Sequence, residues 1–375
     1  MDVTEFRVEL VRKVDESYPV VVGRGIDAHV ARFLEKYANR RIAIITDSTV
    51  AELAAGPLAQ ALAPREAEVL AFPAGEANKT RAVKEELEDE LIARGFGRDS
   101  VIVALGGGVV TDLAGFVAAT FTRGVPYVSV STTLLGAADA SVGGKTAVDT
   151  PAATNLIGAF HQPSAVFIDL DRWLTLSDRQ IREGLGETVK HACLADAAFF
   201  DALEDAFVTR GLTPGEFVRD DALAELTARR NCEIKRDFVQ SDVHEGNRRM
   251  GLNLGHTIGR ALEAAMGYEM NHGECVAVGL ALQARLGEAH GYVSRGDVER
   301  IEALLGAIGL PYRLPAGADV DRIMSAMSHD KKGQAGAIRF VFQRGIGDLM
   351  VFGQGAYARV VDAADMRAFL SAQPR

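Results

Sequence analysis

Ser100-Val101-Ile102-Val103-Ala104-Leu105 carries no charge and runs directly into Gly106-Gly107-Gly108. A strand this apolar has no face for water, so it belongs inside a sheet covered on both sides. The segments around it repeat the theme. Arg41 to Thr46 is a short apolar strand ending in Asp47-Ser48, a helix N-cap pair, and the helix that follows is predicted through Val50 to Leu62. Glu68 to Phe72 is a strand closed by Pro73-Ala74-Gly75. Helical periodicity returns from Thr80 to Ala93, with Leu87 and Leu91 four apart. Pro126–Val130 and Ala165–Ile168 read as further strands. Apolar strands separated by helices of this length imply a parallel sheet with helices on both faces.

From about Ser177 long helical patterns dominate: Asp178 to Ala192, Ala197 to Val208, Glu216 to Phe238, Gly251 to Met266 and Gly273 to His290. Ile338–Phe342 with Asp348–Phe352 reads as a late hairpin turning near Gly345 and Gly347. The expected plan is an α/β unit over residues 1–176 and a mostly helical unit over 177–375. The length of 375 residues agrees, because single cores stop growing beyond roughly 250 residues. Ligands in such sheets bind beyond the C-terminal strand ends, so a cleft there is the default site.

Charge narrows the partners. Lys and Arg number 41 against 51 Asp and Glu, a net charge of −10 without a long basic run, which argues against nucleic acid. No stretch of about 18 apolar residues marks a membrane span, and the N-terminus lacks the pattern of a signal peptide. Three cysteines (Cys193, Cys232, Cys275) cannot all pair and none sits in a CxxC, so a reducing, cytoplasmic setting is expected.

Strand, glycine run and helix start form an arrangement that cradles a pyrophosphate: glycine admits the backbone close to the anion, and free N–H groups and the helix dipole favour it. The run is neither GxGxxG nor a P-loop, and a tight turn alone also explains it. Asp47, at a strand end, suits a ribose 2′-hydroxyl, favouring NAD over NADP; helix capping is the other reading, and the two coexist. His256 in Asn253-Leu254-Gly255-His256, His272 in Asn271-His272-Gly273-Glu274, and Glu187 would leave an open position on zinc, as a catalytic site requires. The spacing is non-local, and a packed histidine is the plainer reading, kept for His191, His244, His290 and His329. Lys79, Lys145, Lys190, Lys235, Arg249 and Lys331-Lys332 sit beside Gly, Asn, His or Asp rather than in charge runs. Several such cations suit a polyanionic small molecule.

These pieces together resemble the 3-dehydroquinate synthase family of the sugar phosphate cyclase superfamily. The resemblance rests on Gly106-Gly107-Gly108-Val109-Val110-Thr111-Asp112-Leu113-Ala114-Gly115-Phe116, Arg123-Gly124, Thr132-Thr133-Leu134-Leu135, Asp139-Ala140-Ser141-Val142-Gly143-Gly144-Lys145 and Asn155-Leu156-Ile157-Gly158-Ala159-Phe160. It extends through Gly184–Lys190, Leu252–Thr257 and His272-Gly273-Glu274, in order from about Lys79 to Lys332. It implies a Rossmann-like NAD-binding α/β domain followed by a mostly α-helical metal-binding domain. It implies zinc, or cobalt in its place, on Glu187, His256 and His272. It implies NAD around Asp47, Glu76, Lys79, Gly107, Gly108, Val109, Asp112, Thr132, Thr133, Asp139 and Thr175. Contacts to a sugar-phosphate substrate would fall to Lys145, Asn155, Lys190, Lys235, Arg249, Asn253, Arg260 and one of Lys331 or Lys332. Arg123 would reach the neighbouring subunit's site, which implies a homodimer.

The implied reaction, in the shikimate route to aromatic amino acids, is transient oxidation of a secondary alcohol by NAD, β-elimination of phosphate, return of the hydride, ring opening and intramolecular aldol closure. Three positions depart from the family pattern. Thr154 stands where the family usually has lysine, Thr111 where it has glycine, and Arg260 where it has a second histidine four residues after the metal ligand. Arg260 cannot shuttle a proton as imidazole does, but it can bind an anion. The substrate is therefore open between the dehydroquinate precursor and a related C7 phosphate of the sedoheptulose type. Other classes are a metal-dependent polyol dehydrogenase, which would accumulate NADH, and a non-catalytic NAD-binding regulator.

Overall fold

The computed structural model describes residues 5–11, 13–151, 153–329 and 338–375. The main sheet contains β1 (Val20–Gly23), β2 (Arg41–Asp47), β3 (Ala67–Phe72), β4 (Ser100–Gly106), β5 (Tyr127–Ser131) and β8 (Val166–Asp169). All are parallel, in the order β1-β8-β5-β4-β2-β3. All seven residues of β4 are buried, as its uncharged sequence requires. On one face Leu87 and Leu91 pack with Leu113 and Val117 of helix α1 (Gly108–Thr120); on the other Val30, Leu34 and Leu58 do so. The parallel sheet with flanking helices is as the alternation predicts. β1 and a separate antiparallel hairpin, β6 (Lys145–Thr150) with β7 (Ala153–Phe160), have no counterpart in the sequence reading.

The second half is mostly helical. Its principal helices are α2 (Asp178–Ala195), α3 (Asp221–Ser241), α4 (His256–Ala265) and α5 (His272–Ala289). Ser177 opens α2 through a capping box with Gln180. Three expectations need correction. The helix expected over Glu216–Phe238 is broken, because Thr213 caps a short turn at Pro214–Phe217 and Asp220 then caps α3 afresh. The helix expected from Gly251 starts only at His256, after a 3-10 turn over Arg248–Asn253 and Gly255 at φ +76°. The late hairpin is reduced to a bridge between Gln343 and Leu349, while β9 (Ile338–Phe340) pairs with β10 (Arg359–Val361) instead. The turn itself stands near Gly345 and Gly347 as expected: Arg344 N–H donates to Asp348 O and Met350 N–H to Phe342 O (both 2.8 Å), while Gly347 N–H donates to Cys193 O of α2 (2.8 Å). Among the described residues no helix is long and apolar enough to cross a membrane.

A buried polar chain joins α2 to α3. His191 Nδ1 donates to Asn231 Oδ1 (2.9 Å), and Asn231 Nδ2 donates to Thr188 Oγ1 (2.9 Å). Burial and the nearby Lys190 push His191 down to about 3, so it is neutral in the fold. A depressed histidine contributes stability above its unfolded pKa, about 6.5, and that contribution is lost as pH falls toward 3. Between pH 6.5 and 5 the loss is expected to be ~2 kcal/mol, and His191→Gln should remove that part of the pH dependence. Urea titrations of both proteins at the two pH values measure it.

Candidate functional site

Glycines bring three helices together at backbone distance. A side chain on Gly279 of α5 would collide with the Gly255 carbonyl, and one on Gly259 of α4 would lie 2.9 Å from Cys275 O. A side chain on Gly273 would strike the Glu183 carbonyl of α2, and one on Gly186 the Gly273 carbonyl. Helices α2, α4 and α5 therefore touch through main chain, which carries Glu187, His256 and His272 to one point.

The ligand atoms of these three residues all lie within 4.8 Å of one another. His256 Nε2 is 3.2 Å and His272 Nε2 3.3 Å from Glu187 Oε1. The far nitrogens are anchored: His256 Nδ1 donates to Leu254 O (3.1 Å), and His272 Nδ1 lies 3.3 Å from Glu263 Oε2. Anchoring Nδ1 turns each Nε2 inward, as metal-bound imidazoles require. Glu187 is fully buried, and although Lys190 Nζ is 2.6 Å from Oε2, neither carboxylate oxygen has a hydrogen bond of good geometry. Burial pushes Glu187 up, but Lys190 and His256 outweigh it and hold it well below the carboxylate range. Burial pushes His256 down. Burial pushes His272 down too, yet Glu187 and Glu263 hold it up at about 10. A carboxylate, a neutral imidazole and a third ligand that must shed its proton fit a divalent cation, with uptake coupled to proton release.

The other side of the cleft is built at the C-terminal strand ends. After β4, Gly107 precedes α1 without a side-chain cap, leaving the first N–H groups of α1 open. A side chain on Gly107 would lie 3.0 Å from Thr133. Thr132 Oγ1 is buried without a hydrogen-bond partner, and Val109, in the first turn of α1, is half-buried. Thr111 donates Oγ1 to Gly108 O (3.1 Å), so this departure from the family pattern is absorbed within the helix. Asp47 at the end of β2 accepts from Val50 N (2.9 Å), the capping role. Lys79 is 3% exposed and surrounded by carboxylates: it pairs with Glu76 and lies 3.6 Å from both Asp112 Oδ2 and Asp149 Oδ2. Burial raises Asp112 to about 7 and Asp149 to about 6 against the pull of Lys79. An open helix end, an orphaned threonine hydroxyl and strand-end polar groups fit a dinucleotide.

Lys235 of α3 pairs with Asp139. Arg249 is 2% exposed and donates to Val243 O (2.7 Å) and Gly143 O (3.1 Å), which puts it beneath the small-residue loop. Gly143, at φ +105°, has no room for a side chain against that guanidinium. Lys145 on β6 pairs with Glu245, which also accepts from Asn253 Nδ2 (2.8 Å). Glu245, Asn253, His256, Arg260 and Arg339 line a cavity of about 110 Å³ directly beside the triad. Arg260 is exposed and has no ion pair or hydrogen bond among the described residues. Asn155, at φ +55° and exposed, donates its backbone N–H to Asp149 (2.8 Å), and Thr154 beside it is exposed. Arg123 is exposed at φ +72°, and Thr175 donates Oγ1 to Arg172 O (2.7 Å). Lys331 and Lys332 lie outside the described residues.

Sequence reasoning missed Asp149, Glu245 and Glu263. A signal existed for Glu263: His256, Arg260 and Glu263 share one helix face at i, i+4 and i+7. Nothing local marks the other two, whose partners are distant in sequence.

Fold and site define a class: a parallel dinucleotide-type sheet whose strand ends face a two-histidine, one-carboxylate metal centre on helices. Two family models match in succession, 3-dehydroquinate synthase N-terminal over residues 69–183 and 3-dehydroquinate synthase C-terminal over residues 184–333. The 3-dehydroquinate synthase of Pelobacter propionicus is 44% identical, covering 90% of this chain and 93% of its own. The chain belongs to the 3-dehydroquinate synthase family. Among solved structures, the 2-epi-5-epi-valiolone synthase of Streptomyces hygroscopicus, with NAD+ and Zn2+ bound, is 30% identical with TM-score 0.86 over 98% of both chains. A 2-deoxy-scyllo-inosose synthase complexed with carbaglucose-6-phosphate, NAD+ and Co2+ is 25% identical with TM-score 0.84, over 95% of this chain and 96% of its own.

Proposed function

We propose that the protein converts 3-deoxy-arabino-heptulosonate 7-phosphate to 3-dehydroquinate and phosphate. The observation that carries this reading is the metal-type triad sharing His256 with a cavity lined by Glu245, Asn253, Arg260 and Arg339, with Lys145 paired to Glu245. NAD supplies a reversible oxidation of the substrate alcohol, and zinc, or cobalt, the Lewis acidity that polarises its oxygen. Glu187, His256 and His272 would hold the ion, while Lys190 keeps Glu187 ionised and Leu254 and Glu263 fix the imidazoles. Lys145, Asn253 and Arg260 would bind the anionic groups, and fixing a polyanion in a reactive pose is worth several kcal/mol of barrier. Asp47, Glu76, Lys79, Gly107, Gly108, Val109, Asp112, Thr132, Thr133, Asp139 and Thr175 belong to the NAD side of this reading. Asn155, Lys235, Arg249 and Lys332 belong to the substrate side.

Residues 1–176 and 177–375 are taken as two domains, a division supported by the sheet ending at Asp169 and the capping box at Ser177. The reading includes a cytoplasmic homodimer, with Arg123 serving the partner's site and neither nucleic acid nor membrane as a partner. Three buried, unpaired cysteines support a reducing compartment. Arg260 favours one second reading, a cyclase acting on a related C7 phosphate.

The decisive experiment incubates the protein with zinc and NAD and either the dehydroquinate precursor or sedoheptulose 7-phosphate. Phosphate release from the first without accumulation of NADH is expected; release from neither removes the assignment. With Arg260 placed as an anion contact, Arg260→His is expected to raise KM for the precursor roughly three- to tenfold, the scale of one partly exposed charge contact. Higher turnover in that variant would instead make Arg260 a loss from the family pattern.

A further inference from the structure

Gln283 is 1% exposed on α5, whose other buried residues from Gly273 to Gly287 are glycine, cysteine or aliphatic. A buried amide needs a partner at each end, and here both partners are main chain. Its Oε1 accepts from Gly255 N at 3.0 Å, and its Nε2 donates to Val341 O. Gly255 is the residue before His256 and has φ +76°. Val341 continues β9: it lines the cavity with Arg339, while Ile338 and Phe340 alternate into the core. One side chain therefore joins the start of the metal-ligand helix to the wall of the cavity. Thr257 makes a second tie to the same strand, donating Oγ1 to Arg339 O at 3.1 Å.

The peptide that Gln283 holds is the one that orients His256. Gly255 N–H and Leu254 C=O belong to a single planar unit, so fixing the N–H also fixes the carbonyl. Leu254 O accepts from His256 Nδ1 at 3.1 Å, and that bond turns Nε2 toward Glu187. The face of α5 is built for this grip. Gly279 and Gln283 are four apart and share one face. Gly279 leaves room for the Gly255 carbonyl, and Gln283 takes the N–H of the same residue.

We infer that Gln283 is a positioning residue for the metal centre: it sets the Leu254–Gly255 peptide, and through it His256, and fastens that peptide to the strand that lines the cavity. The inference rests on the reading that Glu187, His256 and His272 hold a divalent ion. An aliphatic side chain at 283 would fill the same space but leave a buried N–H and a buried carbonyl without partners. The peptide would then be free to rotate, and the imidazole would turn with its carbonyl.

The test uses the intact protein loaded with cobalt, whose visible absorption reports ligand geometry without turnover, and zinc competition against a chromophoric chelator. Gln283→Leu removes the amide, and Gln283→Asn leaves it one methylene short of its partners. Both are expected to shift the cobalt bands and to weaken zinc binding about tenfold, the lower end of the loss that follows removal of a metal ligand's outer partner. Gln283→Glu keeps an acceptor for Gly255 N and is expected to retain the wild-type bands. Circular dichroism reports folding, and either of the first two variants decides if the other does not fold. Wild-type bands and zinc affinity in a folded Leu or Asn variant overturn the inference and leave the metal reading standing, even where stability falls. Bands shifted as far in Gln283→Glu as in the other two also overturn it. A wild-type protein that takes up neither ion removes the metal reading, and the inference with it.

Discussion

Glu187→Ala is expected to leave a protein that no longer retains zinc, with affinity falling by more than the roughly 10–100-fold typical of losing an outer-sphere partner. The residue is fully buried and sits between both imidazoles, and among the described residues no other carboxylate joins the two histidines in a metal-holding group. The same change should cost stability. Lys190, 1% exposed, has Glu187 Oε2 at 2.6 Å and otherwise donates to Leu252 O at 3.2 Å. Removing one partner of a buried ion pair costs ~3–5 kcal/mol, because the surviving charge stays desolvated. The double variant Glu187→Ala, Lys190→Met should recover much of that stability and none of the metal binding. Zinc competition with a chromophoric chelator and urea denaturation read the two effects separately. Wild-type zinc affinity in Glu187→Ala would place the metal elsewhere.

Lys79→Met is the second large effect, and its sign depends on pH. Lys79 is the common counter-ion of Glu76, Asp112 and Asp149. Its removal leaves two half-buried carboxylates, Asp112 and Asp149, without their shared counter-ion and is expected to cost ~1–3 kcal/mol at pH 8. Burial already raises Asp112 to about 7 and Asp149 to about 6 despite Lys79, so without it both rise further. A carboxyl raised in the fold above its unfolded value contributes stability at low pH that is lost as pH rises through the folded pKa. The deficit of Lys79→Met should therefore shrink between pH 8 and pH 5, where protons take over from the lysine. NAD binding should weaken with it, since the Lys79 side chain ties β6 to the segment after β3 through Asp149 Oδ2, 3.6 Å from Nζ. Denaturation midpoints at both pH values, with NAD titrations followed by fluorescence, test this. A deficit that grows toward pH 5 would refute the electrostatic account.

The architecture was legible where one physical demand dominates. β4 has no polar residue after Ser100 and lies buried along its whole length, and Ser177, Asp47 and Thr80 cap helices where side-chain chemistry says they should. Reading failed where tertiary contact overrides local pattern. Gly255, at φ +76°, breaks the expected helix where its carbonyl meets Gly279, and Ile338–Phe340 pairs with Arg359–Val361 rather than extending the late hairpin. The site was legible through residue type and family resemblance, which named Glu187, His256 and His272. Glu245 and Asp149 were not, since Glu245 matters through Lys145, about a hundred positions away, and Asp149 through Lys79, about seventy positions away. Such pairings are set by how the halves of the chain meet, which no local window records.

The main-chain contacts among α2, α4 and α5 give the metal centre a one-sided tolerance. Backbone against backbone leaves nothing to compress, so the three helices cannot draw closer than they stand. They can still spread, because side-chain packing elsewhere yields more readily than a carbonyl in contact with a Cα. A centre built this way has its backbone frame in place before any ion arrives, and adjustment to the size of an ion falls to the side-chain torsions of Glu187, His256 and His272. That frame is set by residues that never touch the ion, and a methyl group added at Gly273 or Gly279 would retune the centre from outside it.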